Sequence, residues 1–164
     1  MTESDAKTAI RHVIQSLIDG RGEALFMTAS ADGDPHGTWM ATLAIPGSTG
    51  ELLTVTSAKS RKVQNIEENP KVEWLFTDER KRCLVYLRGE AEILANENAI
   101  ERGWSALSNK DRAYFLRYSG TDYALVSTRI RSAVLVIPRA VKSYTFPWQE
   151  VYATPLPQPT QTAS

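Results

Sequence analysis

Apolar positions in the first twenty residues follow a helical spacing, and from residue 23 onward they follow the alternation of strands. Ile10, Val13, Ile14, Leu17 and Ile18 recur so that they share one face of a helix over 2–20. Thr2 with Asp5 offers a capping box at its start, and Gly20 and Gly22 end it. Five strands are then predicted, at Ala24–Ala29, His36–Ile45, Leu52–Thr56, Lys71–Thr77 and Arg82–Leu94. Turn-forming residues separate them at Ala31–Pro35, Pro46–Gly50 and Asp78–Lys81. Such short connections predict antiparallel neighbours. Gly89, inside the fifth strand, predicts a bulge or barrel corner, because glycine weakens a strand without such a reason.

The remaining pattern predicts two short helices, near 96–107 and 110–118, and two further strands at Ser132–Ile137 and Val141–Phe146. Ile100, Trp104 and Leu107 share a face of the former helix, while Tyr114, Phe115 and Tyr118 give the latter an aromatic surface. Residues 153–164 are polar and proline-rich, which predicts a tail that is disordered or draped on a partner. The expected architecture is a mainly β fold with peripheral helices (α+β), a six- to seven-stranded antiparallel barrel. One domain spans 1–152, with the helix at 2–20 and the barrel at 23–147.

Composition narrows the partners. Nineteen basic and nineteen acidic residues cancel over 164 positions, which argues against a protein built to coat nucleic acid or an anionic membrane. No apolar run nears the roughly 18 residues of a membrane span, and no signal-peptide core is visible, so a cytoplasmic protein is expected. The single cysteine, Cys83, leaves no internal disulfide and fits a small core residue in a reducing compartment. Neither a metal-ligand cluster nor a G-x-S-x-G nucleophile motif is present, so no metal is expected and no catalytic residue is assigned.

Candidate chemistry concentrates between Leu52 and Val72. An apolar strand there runs into a hinge holding Thr56, Ser57, Lys59, Ser60, Arg61 and Lys62, and a short helix follows, closed by Asn69-Pro70. Ser57 or Ser60 can cap that helix. Two hydroxyls, three cations and free backbone N–H groups then gather at its positive end, as a phosphate site requires. A solvated turn carries the same residues for solubility alone, and neither glycine-rich phosphate signature is present.

The order D-G-x-P-H, a strand reading TWMATL, a strand ending in TS, then S-R-K-x-x-N-I-x-x-N-P-K-V and a strand with L-x-G-x-A resembles the flavin-binding split-barrel family of pyridoxamine 5'-phosphate oxidase. Trp39-Met40 and the short length are most similar to its general stress protein branch. The resemblance, which covers roughly 23–94, implies a split barrel of FMN-binding type. It further implies a homodimer with flavin sites at the subunit interface, and FMN as cofactor, with FAD or a deazaflavin as alternatives. Carried over, it places the flavin phosphate on Thr56, Ser60, Arg61 and Lys62 with Ser57 nearby, and the ring beside Thr38, Trp39, Met40 and Ala41. Trp148 stands where short relatives bring a late aromatic toward the flavin, and anchoring the last strand is the other reading of it.

Several positions depart from the oxidase pattern. Its arginine and lysine around the second strand are Thr38 and Leu43 here, its aromatic before the phosphate-binding threonine is Val55, and its fifth-strand glutamine is Leu84. The R-x-H segment near the C-terminus is absent. Flavin binding with redox chemistry on another substrate is therefore the expectation, and true pyridoxamine phosphate oxidation is not. Two other readings stay open, a cofactor-free dimeric binding protein on the same barrel and a haem-using relative. His36 could protonate a reduced flavin or be merely solvated. Trp39 could stack near the ring or fill the barrel.

Overall fold

The computed structural model describes residues 1–20, 23–44, 50–78, 82–119 and 122–152. The predicted turn at 46–49, most of the turn at 78–81, Gly22, Ile45 and the tail at 153–164 lie outside these, as do the side chains of Leu17, Ile18, Leu43 and Tyr118.

Helix α1, Glu3–Gly20, begins with the expected capping box. The Thr2 N–H donates to Asp5 Oδ2 at 2.8 Å, and the Asp5 N–H donates to Thr2 Oγ1 at 3.2 Å. Those bonds hold the Asp5 carboxyl below its ordinary pKa. The helix buries Ala6, Ala9, Ile10, Val13 and Ile14 against the barrel core.

The strands are β1 (Glu23–Ala29), β2 (Pro35–Ala41), β3 (Leu43–Ala44), β4 (Glu51–Ser57), β5 (Lys71–Asp78), β6 (Cys83–Ile93), β7 (Tyr123–Ile137) and β8 (Lys142–Pro147). Helix α2 (Arg61–Glu68) links β4 to β5, while α3 (Glu97–Ala106) and α4 (Asn109–Ser119) link β6 to β7. A short α5 (Trp148–Tyr152) follows β8. All strands join one antiparallel sheet in the order β2-β1-β5-β6-β7-β4-β3, with β8 on the second half of β7. The ends of that order, β2 and β3, are separated in sequence by Thr42 alone, so the sheet has to curl until its edges meet. At this seam the Thr54 hydroxyl donates to the Ala41 carbonyl at 2.6 Å. The expected antiparallel split barrel is the observed fold.

Alternation explains which residues fill it. In β1, β5 and β6 every second residue points inward, giving a core of Phe26, Trp74, Phe76, Val85 and Leu87 in which Phe26 stacks on Trp74 at 4.2 Å. The Trp74 indole N–H reaches the Thr128 hydroxyl at 3.2 Å, which satisfies the one polar atom of that ring. A second cluster, Leu53, Val55, Leu107, Phe115 and Leu125, lies on the other face of β4 under α3 and α4.

Three features correct the sequence-based expectation. Strand β7 begins at Tyr123, nine residues before the predicted Ser132. Residues 124–128 are buried on both faces, between the core and the α3–α4 cover, so they show no polar alternation. The predicted second strand breaks at Thr42 into β2 and β3, which raises the count to eight. Helix α5, of five residues, is too short to show helical periodicity. The bulge expected at Gly89 is present, with the β6–β7 register shifting between Arg88 and Gly89. A Cβ at Gly89 would stand 2.2 Å from the Arg129 carbonyl oxygen, so only glycine fits there.

Candidate functional site

The strand β4 delivers Thr56 and Ser57 to one end of the barrel, and the chain then turns into α2. Two backbone bonds shape the turn: the Ser60 N–H donates to the Ser57 carbonyl, and the Val63 N–H donates to that of Ser60, both at 3.1 Å. Ser60 occupies the N-cap position with extended backbone (φ −73°, ψ 151°), yet its side chain makes no capping bond. Its Oγ is buried with no hydrogen-bond partner. A buried hydroxyl without a partner costs on the order of 1–3 kcal/mol, and here it sits at the N-terminal end of the helix, where the backbone N–H groups that precede Val63 have no carbonyl a turn behind them within the helix.

Lys62 points inward from the same turn. It is 9 % exposed, and its Nζ donates to the Thr56 hydroxyl at 3.0 Å. Among the described residues no carboxylate pairs with Lys62 or with the exposed Arg61. Burial pushes the Lys62 pKa below 10.5, because an ammonium loses its water shell without gaining an anion. A phosphate dianion would meet the needs of the Ser60 hydroxyl, the Lys62 ammonium and the helix end together.

Helix α2 is held in place by its apolar and amide face. Val63, Asn65 and Ile66 are buried, and the Asn65 amide donates to Thr28 of β1 at 2.9 Å. The cluster of Thr56, Ser60, Arg61 and Lys62, the candidate clamp, therefore stands at the head of a helix whose far side is fixed to the barrel wall.

Strand β2 runs past this end of the barrel as the outermost strand of the hydrogen-bonded order. Its last residue, Ala41, accepts the bond from Thr54, two residues before Thr56. Ala41 is thus brought against β4, and Thr38, Trp39 and Met40 precede it on β2. Thr38 pairs with the His36 ring at 3.1 Å, and Met40 packs against the core. Trp39 does not fill the barrel: it pairs in register with Leu25 on the outer face and is 55 % exposed.

Trp148 lies apart from the clamp within one chain. It is buried in α5 with its Nε1 against Gly50, where an added Cβ would stand 2.6 Å away, and it packs on Tyr152 at 4.9 Å. Gly50 precedes the first residue of β4, whereas Thr56 stands near its last.

Sequence reasoning missed what braces the clamp from outside. Ser57 pairs in register with Tyr123, the Ala58 N–H donates to the Asp122 carbonyl at 3.1 Å, and Tyr123 stacks on Trp104 at 5.0 Å. The signal lay in the Asp-Tyr-Ala-Leu run at 122–125, which reads as a strand start once β7 is extended.

Three comparisons bear on this arrangement. The sequence model of the family described as pyridoxamine 5'-phosphate oxidase matches residues 10–136. No curated protein sequence matches the chain. Among solved structures, a protein from Clostridium acetobutylicum related to general stress protein 26 of B. subtilis, of the pyridoxinephosphate oxidase family, is similar at 19 % identity and a TM-score of 0.71, covering 92 % of this chain and 100 % of that one. A pyridoxamine 5'-phosphate oxidase-related, FMN binding protein from Nostoc punctiforme is similar at 14 % identity and a TM-score of 0.62, over 90 % of this chain and 97 % of that one. A heme binding protein from Mycobacterium smegmatis is similar at 16 % identity and a TM-score of 0.62, over 88 % of this chain and 60 % of that one.

Proposed function

The chain belongs to the pyridoxamine 5'-phosphate oxidase family, and within it we propose an FMN-binding protein that holds the flavin phosphate at the N-terminus of α2 and serves a redox reaction on a small substrate. The observation that carries this reading is the pair formed by Lys62 and the Ser60 hydroxyl, which among the described residues are buried without a carboxylate and without any partner respectively. Both are costs to the folded chain that a phosphate would remove.

Thr56, Ser60, Arg61 and Lys62 hold the phosphate in this reading, with Ser57 at the mouth of the site. Arg61, exposed at the first helical position, would supply a second cation to the phosphate. Residues 38–41 lie beside the ring. As the outermost strand, β2 carries backbone N–H and C=O groups on an edge outside the ladder, and these suit the polar rim of an isoalloxazine. When bound, the flavin supplies the electron transfer, while the protein binds, orients and shields it.

A homodimer is part of the proposal, and the outer face of the sheet supports it. Trp39, Leu25, Leu75, Tyr86 and Val134 stand in one register row across β2, β1, β5, β6 and β7, pointing away from the core. Of these, Trp39 is 55 % exposed and Leu25, Leu75 and Tyr86 are partly exposed, and a second copy of the chain would cover them. Trp148 reaches a flavin in this scheme only across such an interface. The described residues contain no helix long and apolar enough to cross a membrane, and a cytoplasmic location is part of the proposal.

Absorbance of the purified protein and titration with FMN test the reading. A flavin band, or saturable FMN binding that raises the melting temperature, is expected. A colourless protein that FMN neither binds nor stabilises would leave the cofactor-free binding protein standing, and a Soret band would select haem.

A further inference from the structure

The turn that enters α2 carries a third cation, and unlike the other two it is already engaged by an acid. Lys59 Nζ lies 3.3 Å from Asp122 Oδ2, with the lysine side chain 87 % exposed and the aspartate side chain 56 % exposed. We infer that Asp122, acting through Lys59, sets the affinity of the clamp for phosphate and so the preference for a phosphorylated flavin over an unphosphorylated one. The inference rests on reading Ser60, Arg61 and Lys62 as the phosphate clamp.

The geometry separates the charge of Asp122 from its structural work. Its backbone carbonyl accepts the Ala58 N–H at 3.1 Å, and the next residue, Tyr123, pairs in register with Ser57. These contacts fix Asp122 beside the turn whatever its side chain is. The Ser57 hydroxyl accepts the Lys59 N–H at 3.3 Å, so the backbone at Lys59 is also held independently of the ion pair. What the carboxylate adds is one negative charge beside an anion site, and it cancels one of three local cations.

An exposed pair of this kind is weak and easily exchanged, because water screens both ends. Lys59 can therefore leave Asp122 for a phosphate oxygen, and the carboxylate then stands uncompensated near the bound dianion. Asp122 opposes phosphate binding in both arrangements, first by occupying Lys59 and then by like-charge repulsion. A flavin without the phosphate feels neither effect.

The test compares FMN with riboflavin by fluorescence titration at low and high salt. In Asp122→Asn, FMN affinity rises about two- to fivefold at low salt, as expected for an exposed ion pair. The gain shrinks in high salt, and riboflavin affinity stays unchanged. Lys59→Met, which leaves Asp122 unopposed, lowers FMN affinity by a similar factor and again spares riboflavin. An FMN-to-riboflavin ratio that is unchanged or reduced in Asp122→Asn, with the melting temperature preserved, overturns the inference. Should that variant lose its fold, an unaltered ratio in Lys59→Met overturns it instead. If the native chain binds FMN no better than riboflavin, the clamp reading fails and this inference falls with it.

Discussion

Two clusters of cations sit on this barrel, and their surroundings differ in kind. At the Gly89 bulge, Arg88 bonds to Glu73 at 2.5 Å and Arg131 to Glu90 at 2.9 Å, with both arginine side chains more than half exposed. The Glu90 carboxyl is held below its ordinary pKa, first by its hydrogen bond from Arg131. At the start of α2, Lys62 is buried on a hydroxyl with no acid opposite among the described residues, and its pKa falls through lost hydration. The bulge balances its own charge within the chain, and the turn into α2 leaves the charge of Lys62 unbalanced by any described carboxylate. On the proposed reading, the same residue types serve a structural end in one place and a binding end in the other.

The largest break in that comparison comes from removing the clamp. Arg61→Ala with Lys62→Ala is expected to weaken FMN binding about a hundredfold or more, since each charge-assisted bond contributes roughly 1.5–3 kcal/mol. Titration measures this, and unchanged affinity would reduce the cluster to a solvated turn. The bulge answers to geometry instead of charge. Gly89→Ala is expected to cost about 1–3 kcal/mol of stability by driving a methyl group into the Arg129 carbonyl, a loss that thermal or urea denaturation reads directly.

A pH series sharpens the contrast further. Lys62 has a folded-state pKa below the 10.5 of an ordinary lysine, so the unfolded chain holds that proton more tightly. Its burial therefore costs stability at neutral pH. That cost is relieved as pH rises through the lowered value and is gone above 10.5. FMN affinity moves the opposite way, falling by up to about tenfold per pH unit in that alkaline window as the site must first take up a proton. Lys62→Met would remove this dependence. The smallest effects belong to the paired cations: Arg88→Ala and Arg131→Ala are each expected to change stability by under about 1 kcal/mol and FMN affinity by less than about twofold.

Much of the scaffold was legible because half-buried strands write their faces in alternation, as β1, β5 and β6 do. Helix α2 was legible from its hydroxyl-rich start and Asn-Pro end. The first half of β7 was not, since burial on both faces erases the alternation. The hydroxyl- and cation-bearing turn could be named from the strand-turn-helix order, but not the state of each residue in it. Sequence offers Ser57 and Ser60 as equivalent caps, whereas only the folded turn shows Ser60 at the N-cap with its hydroxyl unspent. Trp39 and Trp148 were ambiguous for a related reason: an aromatic side chain suits a core, a ring stack or an interface equally until its face is known. The fold puts Trp39 on the outer face and Trp148 against Gly50.

Thr42 carries a consequence for how the barrel is assembled. It alone separates β2 from β3, the two ends of the strand order, and neither strand ladder includes it. Closing the ring there joins segments already adjacent along the chain and asks for almost no loop-closure entropy. The kinetic burden falls on β7, whose partners β6 and β4 come from distant parts of the sequence. A circular permutant opened at Thr42 would keep every ladder and lose only the covalent step across the seam, leaving the Thr54–Ala41 hydrogen bond to hold the edges together.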